Sequence, residues 1–261
     1  MTAADEYESE QLTGYLFRFG YGMEPGDGDA QIQMTASIND HLRVSGTGYV
    51  RTSVLFLLAD VAQGIPCCIA SFPTVSVTVD LDVRTFGPLT GDEIHAVHDV
   101  VKAGRSLVIA ESAFTDPLTG ELVATAVGTF MVSPRGEKLP GKPARRRDAT
   151  ATTVDKPYPE YVGVRVIEPG VVEVDRRPRL LQTSNSLQGG VIALLGEVAA
   201  ESMSGEMAVE IDVRYLGSVK VGPARTSTRQ VGPHTYRVEI KDVGAGDRVT
   251  GLVLVRTLPT P

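Results

Sequence analysis

The sequence predicts an α+β fold built twice: two tandem units, each a curled antiparallel sheet around one central helix. Three observations carry this reading. Two segments, Arg51–Gly64 (RTSVLFLLADVAQG) and Gly189–Ser202 (GGVIALLGEVAAES), are apolar on every side, and Asp60 and Glu197 sit in the middle of them. A shift of 137 residues lays VRTSVLFLLAD over LQGGVIALLGE without a gap and puts Asp60 on Glu197. Downstream, VTVDLDVRTFGPLTGD resembles MAVEIDVRYLGSVKVGP at an offset of 130, as a shorter loop would give. Self-similarity at so long a spacing marks a duplicated domain and not a solenoid. A helix apolar all round must be covered on most of its surface, and a sheet curled around it does that.

The elements follow in the same order in each half: an extended opening, one apolar helix, then several strands. After the first helix, Ile65–Pro73 reads as a loop able to shape a pocket. TVSVTVDLDV then alternates Val75, Val77, Val79, Leu81 and Val83 with polar residues, the period of a half-buried strand. EIHAVHDVV, RSLVIAESAF and LVATAVGTFMV continue as strands, with a turn at KAGRS and hairpin punctuation at DPLTGE. TYRVEIKDV and RVTGLVLVRT, joined through GAGD, repeat this ending in the second half. Between the halves, Ser133–Pro159 is rich in Pro, Gly, Lys, Arg and Thr and reads as a linker. The division is therefore 1–135, a linker at 136–158, and 159–261. The run ARRR in the linker reads as a solvated basic face.

Composition excludes several classes. A net charge of −7 and a pI near 5.2 argue against a nucleic-acid partner, which needs a basic field. No stretch is read as long enough to span a bilayer, so no membrane partner is expected. The start, MTAADEYESEQL, is acidic and lacks the apolar stretch of a signal peptide, so a cytoplasmic protein is expected. Cys67 and Cys68 are adjacent and form no disulfide framework. His95 and His98 lie three apart on a strand and point to opposite faces, so they ligate no common metal. The histidines read as surface residues and the thiols as buried. No metal and no cofactor is expected.

The order of elements, with LLAD and GG…LLGE on the helices, resembles the hotdog fold, and within it the acyl-CoA thioesterases of the phenylacetate-pathway type. The likeness covers nearly all of both halves. That family shows an approach Asn or Gln, then His-Gly-Gly opening the helix, then a carboxylate, then a strand hydroxyl. Carried over residue by residue, the second half offers Gln182, Gln188-Gly189-Gly190 and Glu197, with Ala208 at the hydroxyl's place. The first half offers Ser45, Arg51-Thr52-Ser53, Asp60 and Thr78. Gly189 and Glu197 lie about 12 Å apart along one helix, so one thioester carbon cannot reach both. The resemblance implies antiparallel helices, with the N-terminus of one meeting the carboxylate of the other. One composite site then joins Asp60 and Thr78 to Gln182 and Gly189, and is complete. The other joins Ser45 and Thr52 to Glu197 and Ala208, and is eroded.

The implied activity is hydrolysis of an acyl-CoA to a carboxylic acid and free coenzyme A. Asp60 serves as nucleophile or as the base that activates water, and its neighbours Leu57, Leu58 and Val61 raise its pKa by desolvation. Helix-start N–H groups at Gly189 and Gly190 suit the oxygen that gains charge, with Gly190 letting substrate approach. Thr78 holds the water or the carboxylate, and Gln182 orients the water or the carbonyl. Glu197 is the corresponding carboxylate of the eroded site, either a relic or satisfied by Arg51, Thr52 or Ser53. Arg105, in the KAGRS turn, matches a basic turn of the family near the coenzyme A phosphates. A non-catalytic acyl-CoA-binding module remains the alternative, followed by a hotdog enoyl-CoA hydratase, whose G-D-x-N-P-x-H motif is missing here. A homo-oligomer, a dimer of two-unit chains, is expected.

Overall fold

The computed structural model describes residues 18–27, 31–133, 136–139, 141, 150–182 and 185–260. The acidic start and the ARRR run, Ala144–Arg147, lie outside the described residues. The first half runs β1 (Tyr21–Pro25), β2 (Ile32–Ser37), α1 (Thr52–Ser71), β3 (Ser76–Thr85), β4 (Glu93–Ala103), β5 (Leu107–Thr115) and β6 (Leu122–Val132). A short helix α2 (Tyr158–Val162) opens the second half. It continues β7 (Arg165–Glu168), β8 (Val171–Val174), α3 (Gly189–Ser204), β9 (Met207–Tyr215), β10 (Ala224–Gly232), β11 (Thr235–Asp242) and β12 (Arg248–Leu258).

Among the described residues, twelve strands join one antiparallel sheet in the order β1-β2-β4-β5-β6-β3-β9-β12-β11-β10-β8-β7. Matching each strand of the first half with the one six places later makes this order read the same from both edges. β3 and β9 form the seam. Their inward residues Leu81, Val83, Ile211 and Val213 are fully buried beneath the helices. Their outward residues are charged, with Asp82 opposite Asp212 and Arg84 bonded to Glu210 at 2.9 Å. Bulges recur at matched places: Val79 in β3 and Val209 in β9 are each the unpaired extra residue, as are Val101 in β4 and Val231 in β10.

Both long helices supply the core, with Leu55, Phe56, Leu57, Leu194 and Leu195 at or below 1% exposure. Their ends differ. Phe72, forced out of the helical region by Pro73, closes α1, whereas Gly205 in the left-handed conformation closes α3. Tyr158 of α2 is buried edge-to-face on Phe19, and Asn39 bonds the Val154 carbonyl, so the end of the connecting segment is docked on the first half.

Four expectations are corrected. The first helix runs to Ser71, taking in most of the loop expected at Ile65–Pro73. Pro66 is accommodated at the cost of one backbone hydrogen bond. That helix, 20 residues with a mean hydropathy of 1.8, does have bilayer-spanning length, but most of it is buried inside the sheet. Strict alternation along β3 fails at the Val79 bulge, which leaves Val77 at 38% exposure and turns Ser76 inward. His98 is not a surface histidine. It faces the helix with Ile94 and Ala96, is fully buried, and its Nδ1 lies 2.7 Å from Ser112 Oγ.

Candidate active site

The two long helices lie side by side and run antiparallel, so the start of each meets the middle of the other. Ser53 at the start of α1 donates its N–H to Glu197 at 3.2 Å, while Gly189 at the start of α3 adjoins Asp60. Gly190 makes this approach possible, because a Cβ there would lie 2.8–2.9 Å from Leu57.

Asp60 is half-buried on α1. Thr78 donates its hydroxyl to Asp60 Oδ1 at 2.7 Å. The Val79 bulge explains how. In an unbroken strand, Thr78 would face away from Leu81 and Val83, whereas the extra residue lets all three face the helices. Asp60 Oδ2 has no hydrogen-bond partner among the described residues. It lies 2.7 Å from the position a Cβ on Gly189 would occupy, and the Tyr215 hydroxyl lies 2.4 Å from the same position. That hydroxyl is buried and has no partner among the described residues. The Gly189 N–H also has no partner among the described residues, as expected for a first-turn donor. Burial pushes the Asp60 carboxyl up to about 6 against the pull of the Thr78 hydroxyl. Burial and the charge of Asp60 hold the Tyr215 hydroxyl well above its usual range. A carboxylate able to accept a proton near neutral pH thus faces two free donors across a space that only a glycine leaves open.

The matching place in the other direction is built differently. Glu197 is fully buried and accepts from Arg51 Nε at 2.9 Å, Ser53 Oγ at 2.5 Å and the Ser53 N–H. Arg51 also binds Glu201 at 2.5 Å, whose carboxyl burial raises to about 7 even though Arg51 pulls it down. Thr52, where the other site has Gly189, donates to the Ala208 carbonyl at 2.8 Å, and its hydroxyl lies 3.0 Å from that of Thr85. Glu197 is therefore held in an ion-paired cluster and not presented to a substrate.

The structure brings Asp60, Thr78 and Gly189 together, with Gly190 beside Gly189 at the same helix start. Gln182 is exposed, and its amide donates to Ser186 Oγ at 2.8 Å. The buried glutamine is Gln188, which caps its own helix by accepting from the Gly190 N–H at 2.7 Å. Gly190 thus has its donor satisfied and its Cα against Leu57, and offers substrate no free N–H. Arg105 stands exposed in the β4–β5 turn. Sequence reasoning missed Tyr215. Its signal was the repeat itself, where DVRTFG faces DVRYLG and a tyrosine replaces Thr85.

Solved structures similar to this chain include an acyl-ACP thioesterase from Bacteroides thetaiotaomicron, at a TM-score of 0.62 and 12% identity. Another is the 12:0-ACP thioesterase from Umbellularia californica, at 0.62 and 11%. Each match covers 90% of this chain and 100% of the other. The chain has the hotdog fold of these structures. No protein-family model matches its sequence, and no curated protein matches it. In this hotdog chain, the cluster around Asp60 lies where the two halves meet.

Proposed function

We propose that this protein hydrolyses an acyl thioester, releasing a carboxylic acid and a free thiol, at a site shared by two tandem hotdog units. The observation that carries the reading is the half-buried Asp60 carboxylate of one half facing the open, glycine-built start of α3 from the other. Coverage of both halves by the thioesterase structures supports the two-unit reading. Acyl-CoA is the substrate class favoured by the sequence resemblance. The acyl-ACP substrates named for the similar structures carry the same type of thioester and form the second arm of the test.

In the mechanism, water beside Asp60 loses a proton to Oδ2 as its oxygen bonds to the thioester carbonyl carbon. Thr78 holds Oδ1 and fixes the carboxylate's orientation. The carbonyl π pair moves onto oxygen, where the Gly189 N–H and the α3 dipole stabilise it. Collapse breaks the C–S bond, and the proton on Asp60 passes to the departing thiolate. No cofactor enters this scheme.

The test is thiol release from short, medium, long and aromatic acyl-CoAs and from acyl-ACPs, for the parent and Asp60→Asn. Loss of general-base catalysis is expected to lower kcat by roughly 10²–10⁴. Binding of acyl-CoA without thiol release would instead identify a non-catalytic binding module.

A further inference from the structure

We infer that the Tyr215 hydroxyl is a catalytic donor of this site, holding the thioester carbonyl oxygen jointly with the Gly189 N–H. The inference rests on the thioester-hydrolysis reading and adds a residue that no part of that resemblance assigns.

Three groups face one small space, and each lacks a partner among the described residues: Asp60 Oδ2, the Gly189 N–H and the Tyr215 O–H. Both oxygens lie within 2.7 Å of the position a Cβ on Gly189 would take, so they are no more than about 5 Å apart, yet they are not hydrogen-bonded to each other. Burying a hydroxyl without a partner is costly, and native structures seldom leave one so. The matched place in the other direction shows the usual remedy. There Thr52 and Thr85 stand where Gly189 and Tyr215 stand here, and the two hydroxyls pair at 3.0 Å while Thr52 also reaches a carbonyl. A tyrosine kept only for packing would be expected to find such a partner. Here the glycine removes the partner and clears the space the hydroxyl enters, since any Cβ would sit 2.4 Å from Tyr215 Oη.

Of the other donors expected near Asp60, the Gln182 amide bonds Ser186 and the Gly190 N–H bonds Gln188. Tyr215 thus complements Gly189 as the second donor for the oxygen that gains the π pair during attack. Its raised pKa keeps the proton on the phenol throughout, so it donates a hydrogen bond without transferring a proton.

Tyr215→Phe keeps the ring and removes only the donor. Expected are a kcat lowered roughly 10²–10³-fold, a KM changed little, and a melting temperature unchanged or slightly raised. Gly189→Ala, whose Cβ would crowd both the Tyr215 hydroxyl and Asp60 Oδ2, should lower kcat at least as much. Asp60→Asn, assayed alongside, separates the two claims. If Asp60→Asn abolishes thiol release while Tyr215→Phe keeps kcat within about two-fold, the tyrosine has no catalytic part and the hydrolase reading stands. A Tyr215→Phe variant that melts lower at unchanged kcat shows a packing role and overturns the inference. A silent Asp60→Asn, or a parent inactive on every thioester, overturns both.

Discussion

Asp60→Asn should make the protein less active and more stable at the same time. The folded carboxyl titrates near 6 against an ordinary value of 3.8, mainly because burial disfavours its charge. At neutral pH, ionised Asp60 therefore costs the fold about 3 kcal/mol. Asparagine removes the charge, keeps the volume and still accepts from Thr78, though its amide carries a burial cost of its own. A net gain of about 1–3 kcal/mol is expected, a rise of roughly 2–10 °C in Tm for a chain of this size. The sign follows from proton binding. Below pH 3.8 both states hold the proton, and the neutral carboxyl's contribution is fully present. As pH rises the unfolded chain ionises first, and that contribution is lost through the folded pKa near 6. The variant loses nothing, so its advantage should open between pH 4 and 6 and stay level above. Thermal melts of both proteins at pH 4.0, 5.0, 6.0 and 7.5, beside thiol-release rates, measure this. A variant less stable at pH 7.5, or an advantage equal at pH 4.0 and 7.5, would refute the reasoning.

The remaining predictions rest on the same electrostatics. Thiol release should rise with pH through about 6 and then level off, because only ionised Asp60 accepts the proton from water; a kcat profile flat from pH 5 to 8 contradicts a base role. Arg51→Met leaves Glu197 and Glu201 buried without their cation and should cost about 3–5 kcal/mol in urea unfolding, an unmoved midpoint arguing against the cluster. Glu197→Gln should leave turnover within a few-fold of the parent, and abolished turnover would make Glu197 the working carboxylate.

Much of the fold was legible because its signals are local. All-round apolar helices, alternating strands and a gapless repeat each occupy a short window, and those windows place α1, α3 and the strands after them. What escaped depends on tertiary context. Pro66 reads as a helix breaker, yet the buried turn around it keeps α1 helical to Ser71. The Val79 bulge has no turn-like sequence around it, and it alone reconciles an inward Thr78 with inward Leu81 and Val83. Gln182 and Gln188 are six residues apart in one loop, and only the path of that loop shows which one is buried at the helix start. Tyr215 lies 155 residues from Asp60 in sequence. Their convergence becomes visible only once β9 closes beside β3 and the two helices are antiparallel.

The two carboxylates show how a duplicated scaffold can divide its labour. Each stands in the middle of one helix and faces the start of the other. Glu197, with its longer side chain, reaches Arg51 and Ser53 of the opposite half and receives three donors, so its burial ties the halves together. Among the described residues, Asp60 bonds only Thr78 of its own half and leaves Oδ2, the Gly189 N–H and the Tyr215 hydroxyl unpaired across the interface. Unpaired polar groups of this kind cost on the order of 1–3 kcal/mol each, a burden a marginally stable fold carries at few places. A chain open at both positions would bear that cost twice and lose its clamp as well. Filling one position with Arg51, Thr52 and Thr85 removes the second penalty, and the stabilised half then holds the Asp60 site open. On this argument the asymmetry is what makes an unsatisfied, reactive Asp60 tolerable, and stability lost through Arg51→Met should loosen the Asp60 site without touching it directly.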